Sequence, residues 1–72
     1  MQIQLLMSGS ELMRGTTTDT NSVRIADALA SIGLAVHRKV TLGDDLALLV
    51  QELQSISREA DVLLVNGGLG PT

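Results

Sequence analysis

Four short polar stretches carry the residue types that could do chemistry: Ser8-Gly9-Ser10-Glu11, Asp19-Thr20-Asn21, Gly43-Asp44-Asp45 and Asn66-Gly67-Gly68-Leu69-Gly70-Pro71-Thr72. Glycines in the last let successive backbone amides turn toward one anion with no Cβ in the way, so 66–72 reads as a phosphate-binding loop. The competing reading is a tail that holds nothing. Ser8 to Glu11 offers hydroxyls and amides to a ribose or phosphate, and Glu11 could take a hydroxyl or a metal-bound water. The same residues also make an ordinary turn in which serines satisfy backbone groups. Asp19 or Thr20 suits a helix cap; Asn21 is less needed there and is the better ligand contact. Asp44 and Asp45 are paired carboxylates of the kind that hold a hard cation against a pyrophosphate. They are equally a helix start, where negative charge suits the dipole.

The composition narrows the field. A chain of 72 residues holds one small domain and buries only about 60–65% of its unfolded surface. It has no cysteine, which excludes disulfides, thiolate metal sites and cysteine nucleophiles, and its single histidine, His37, makes no zinc cluster. There is no Phe, Trp or Tyr on which a base could stack. A formal charge of −3, with Arg38-Lys39 the only adjacent basic pair, argues against a nucleic-acid surface. The N-terminus lacks the pattern of a signal peptide, and no run approaches the ~20 apolar residues that cross a bilayer. The expectation is a soluble cytoplasmic protein with neither nucleic acid nor membrane as partner. His37 reads as a surface residue, and Met1, Met7 and Met13 as core and loop filler. Arg14 lies in the loop after the first strand, exposed or meeting a phosphate.

The elements that must position these stretches follow from periodicity. Residues 3–7 form a short apolar run broken only by Gln4 and closed by Ser8-Gly9, a buried strand. Residues 16–21 are polar and read as a loop. From about Thr20, Ile25, Ala26, Leu29 and Ile32 recur at helical steps, with Gly33 suited to the left-handed residue that ends the helix. Residues 34–40 alternate, as in a strand with an exposed face or edge, and 41–45 make the turn. A second helix carries Leu46, Leu49, Val50, Leu53 and Ile56 on one stripe, with Asp44 or Asp45 as cap. The apolar run 62–65 is the third strand.

The order β-α-β-α-β predicts an α/β fold: three layers, α/β/α, around a parallel sheet with right-handed crossovers. The first and third strands are nearly all apolar and the second is not, which favours strand order 2-1-3. A switch point then falls between the first and third strands at their carboxyl ends, where both glycine loops lie. The same order leaves the third strand as an open apolar edge, so the domain is expected to be incomplete or covered by a second subunit.

"SGSEL" at 8–12, "DTN" at 19–21, "GDD" at 43–45 and "NGGLGPT" at 66–72 resemble, in order and spacing, the motifs of the CinA N-terminal domain. That domain belongs to the wider molybdopterin-binding-like group of the MogA/MoaB type, and the resemblance covers essentially all of 1–72. The family usually has Gly-Thr-Glu-Leu or Gly-Asn-Glu-Leu where this chain has Gly9-Ser10-Glu11-Leu12, and Asn in place of Asp45. It continues past the glycine loop with two aspartates, a helix and more sheet, so the resemblance implies that 1–72 is the N-terminal portion of such a domain.

For a complete relative the resemblance implies a hydrolase of ADP-ribose-type nucleotide pyrophosphates that uses a divalent metal (Mg²⁺, Mn²⁺ or Co²⁺). The alternative is a module that binds molybdopterin or a nucleotide without turnover. It assigns Asp44 a catalytic place, and substrate contacts to Gly9, Ser10, Glu11, Asp19, Asn21, Gly67, Gly68, Gly70 and Thr72. The implied partner is a nucleotide or pterin small molecule, together with a second copy or the missing C-terminal portion. The chain alone is expected to show little or no catalysis.

Overall fold

The computed structural model describes residues 1–16 and 18–67, so the expectations for Gly68, Gly70 and Thr72 lie outside the described residues. Three strands form one parallel sheet: β1 (Ile3–Ser8), β2 (Arg38–Leu42) and β3 (Val62–Gly67), in the order β2-β1-β3. Helices α1 (Ser10–Arg14), α2 (Thr20–Ala30) and α3 (Leu46–Glu59) fill the connections. Every residue of β1 is buried. Since successive strand side chains point to opposite faces, both faces of the central strand must be covered.

Two contacts show which helix covers which face. Lys39 reaches Asp19 and Ser22 at the start of α2, and Asn21 bonds Asn66. Lys39 and Asn66 pair in register with Leu5 and Met7, so α2 lies on the Leu5/Met7 face. The right-handed crossover from β2 to β3 puts α3, which packs on β3 and buries Ile56, on the Gln4/Leu6/Ser8 face. This is the expected α/β/α arrangement with the expected strand order.

Several boundaries differ from the sequence reading, each for a physical reason. The second strand begins at Arg38, four residues later than the alternation suggests, and takes in Thr41 and Leu42. Its limits are set by partners: Gln4 to Ser8 pair with Arg38 to Leu42, so β2 runs as far as β1 does. Residues 10–14 form one short helix instead of a loop, closed by Gly15 at φ 74°; a single turn is too brief to show a helical period. Gly33, at φ 80°, does take the left-handed conformation, but α2 already ends at Ala30. Ile32 therefore sits in the following turn, 70% exposed.

On α3 the expected stripe is covered only in part. Leu49, Leu53 and Ile56 face inward, while Leu46 and Val50 are 76% and 45% exposed. With strands ~4.8 Å apart and a helix ~10 Å across, three strands do not underlie the full apolar arc of a helix above the edge. Of the methionines, Met7 is core and Met1 and Met13 are exposed. Among the described residues no helix is long and apolar enough to cross a membrane.

Candidate functional site

A cavity of about 340 Å³ opens at the carboxyl ends of β1 and β3. The register sets it there: Ser8, last residue of β1, pairs with Gly67, last residue of β3. Ser8 of the first polar stretch and Asn66 and Gly67 of the last, far apart in sequence, are thus adjacent in space. Gly67 permits the approach, because a Cβ on it would lie 2.6 Å from the Ser8 carbonyl oxygen and overlap the Ser8 hydroxyl. Met7 and Leu12 give the cavity apolar walls; Ser8, Glu11, Asp19, Asn21, Asn66 and Gly67 give it polar ones, with Thr18 and Thr20 beside them.

The N-terminus of α2 forms one side. Asp19 caps it, accepting from the Ser22 amide at 3.1 Å and the Ser22 hydroxyl at 2.7 Å. Lys39 donates to the same carboxylate at 3.3 Å. The Ser22 hydroxyl is the largest cause holding the Asp19 carboxyl below its ordinary pKa of 3.8; partial desolvation opposes it, and the Ser22 amide and Lys39 add to it. A depressed folded-state pKa means that the native state resists protonation. The resulting stability is present above pH 3.8 and lost as pH falls through the lower folded value. Asp19→Ala is expected to cost about 0.5–2 kcal/mol at neutral pH. Urea unfolding should show that gap narrowing below pH 3.8; a gap independent of pH would mean that the carboxylate is not the cap.

Opposite, Asn21 Nδ2 donates to Asn66 Oδ1 at 3.2 Å, tying α2 to the end of β3 across 45 residues. Glu11 folds back over Gly9, its Oε1 2.7 Å from where a Cβ on Gly9 would lie. The Gly9 amide donates to the Leu42 carbonyl at 3.0 Å, holding the first loop against β2.

Among the described residues expected in the site, the cavity brings together Glu11, Asp19, Asn21 and Gly67. Gly9 and Ser10 are their chain neighbours but do not line it. Asp44 is exposed just beyond the end of β2 and also lies outside the lining. Of the acidic pair it is Asp45 that caps α3, accepting from the Leu48 amide at 3.1 Å, which leaves Asp44 without that duty. Arg14 and His37 are exposed and take no part in the cavity. Ser8, Thr20 and Asn66, members of the polar stretches that were given no ligand contact one by one, line it too, and so does Thr18, which lay outside those stretches. Asn66 had a readable signal, being a polar residue at the carboxyl end of an apolar strand beside a switch point. No local pattern pointed to Lys39 as the partner of Asp19.

The chain is a three-layer parallel α/β domain with a polar cleft at its switch point, the place where open sheets of this class hold their ligands. The family model described as "Probable molybdopterin binding domain" matches residues 4–72, and the chain belongs to that family. It is similar to a "CinA-like protein" of Colwellia psychrerythraea, 54% identical over 71 residues, which are 99% of this chain and 16% of that protein. Against the "CinA-like protein" of Escherichia coli K12 / DH10B it is 44% identical over 72 residues, 100% of this chain and 18% of that one. The crystal structure of the protein CinA, of unknown function, from Thermoplasma acidophilum superposes with a TM-score of 0.87 at 30% identity. That match covers 99% of this chain and 42% of the other. The chain therefore spans about a sixth of the length of the curated relatives it matches.

Proposed function

We propose that this chain forms the nucleotide-binding part of a CinA-like domain acting on nucleotide pyrophosphates of the ADP-ribose type, and that alone it binds without appreciable turnover. One observation carries the reading: Ser8 and Gly67 pair in register, so Ser8 and Glu11 of the first stretch and Asn66 and Gly67 of the last line one cavity at the switch point. In this reading Glu11, Asp19 and Asn21 orient the substrate, Gly67 keeps the approach open, and Gly9 and Ser10 support the first loop. Asp44 stands at the end of β2 as the acid that the resemblance places by the site.

A divalent metal would polarise the pyrophosphate and activate water. The donors among the described residues do not suffice for it. Glu11 and Asp19 are the two carboxylates at the cavity, Asp19 is engaged by Ser22 and Lys39, and no three acidic or histidine side chains among the described residues converge. These side chains can bind and orient a nucleotide, but they do not by themselves build a metal centre.

The test is incubation with ADP-ribose and Mg²⁺, Mn²⁺ or Co²⁺, paired with calorimetric titration of ADP-ribose without metal. Binding heat without AMP is the expected result; AMP release would overturn the inactivity, and absence of heat would overturn nucleotide binding. A second reading is favoured by the family match over residues 4–72: a module that holds a pterin and turns nothing over. A reduced pterin phosphate displacing ADP-ribose in the same titration would support it. The outer side of β3, with Val65 40% exposed, is where further sheet or a second copy would pair.

A further inference from the structure

We infer that the cavity receives the uncharged, hydroxyl-bearing part of its ligand, the vicinal diol of a ribose, and leaves the phosphates outside. This rests on the nucleotide reading above and says which end of the molecule enters.

The charges of the lining point this way. Among the described residues it holds two carboxylates, Glu11 and Asp19, and no cation. Lys39, which is not part of the wall, is already paired with Asp19 at 3.3 Å. Glu11 has no ion-pair partner among the described residues. A phosphoryl group brought in would meet these two carboxylates with no cationic side chain among the described residues of the wall to offset them. A carboxylate, by contrast, is an acceptor with two oxygens, and a vicinal diol offers two donors side by side. Charge-assisted bonds of this kind are also the stronger ones.

The amide pair fits the same partner. Asn21 and Asn66 spend one donor and one acceptor on each other. What remains is an Asn21 oxygen and an Asn66 nitrogen, an acceptor beside a donor. Hydroxyls, which both give and take hydrogen bonds, satisfy such a wall; a fully ionised phosphate only accepts. Met7 and Leu12 supply apolar surface for the face of a sugar ring.

Amide-resolved NMR titration of the chain in EDTA tests this with four probes: adenosine, 2′,3′-dideoxyadenosine, inorganic pyrophosphate and ADP-ribose. Adenosine should move the signals of Glu11, Asn21 and Asn66, and loss of the diol should weaken binding about 10-fold or more. Glu11→Gln, at an exposed position, should weaken adenosine comparably and leave the dideoxynucleoside unchanged. Equal binding of the two nucleosides, no binding of adenosine, or pyrophosphate moving the same three signals would overturn the inference. If ADP-ribose still binds in those cases, the nucleotide reading survives; if ADP-ribose moves no signal, that reading falls as well.

Discussion

Leu6→Ala is expected to remove about half of the domain's stability, about 2–5 kcal/mol. Leu6 is 0% exposed at the middle of the central strand, paired in register with Val40 on one side and Val65 on the other. It lies on the face covered by α3, where Ile56 is equally buried. Truncation removes apolar contacts on all sides at once and leaves a cavity that three short strands cannot close by shifting. At ~0.05–0.15 kcal/mol per residue, a chain of this length has about 4–11 kcal/mol in total, so the variant should be largely unfolded in mild denaturant. Val65→Ala on the same face is the internal control, since Val65 is already 40% exposed and should cost under about 1 kcal/mol. Urea unfolding followed by circular dichroism separates the two. Equal losses would mean that β1 is not the core.

Gly67→Ala should be the most damaging change at the site. An added Cβ would stand 2.6 Å from the Ser8 carbonyl oxygen and 3.1 Å from the Ser8 Cβ. No rotamer change relieves a clash with backbone, so β1 and β3 must separate at their carboxyl ends. Overpacking of this kind costs about 1–3 kcal/mol. The displacement falls between the two stretches that form the cavity, so ligand binding should fail even where the fold survives. Calorimetry below the unfolding transition would show this. Retention of both stability and ADP-ribose binding would mean that the strands do not approach as closely as described.

The caps were readable as neighbouring pairs, Asp19 or Thr20 and Asp44 or Asp45, and Gly33 as a left-handed residue, because such features are settled within a few residues; that α2 ends at Ala30, before Gly33, was not. The strand order was readable because a central parallel strand must be apolar on both faces, and 3–8 very nearly is. Residues 10–14 were not readable as a helix, since one turn has no period, and the start of β2 was hidden because pairing with β1 sets it. Apolar periodicity named Leu46 and Val50 as inward-facing, but whether a sheet lies beneath them depends on how many strands there are.

The site divides in the same way. By itself the sequence determined the order of elements, the switch point and the polar residues that cluster at strand ends, because each rests on local spacing and on the handedness of crossovers. Only the tertiary structure decided that Asn21 bonds Asn66, that Lys39 neutralises Asp19 and that Asp45, not Asp44, caps α3. Two of those three are contacts across 45 and 20 residues, and a pair that distant is brought together by the register of strands, which no local pattern encodes. The third was a choice between neighbours, made by which carboxylate the first turn of α3 can reach.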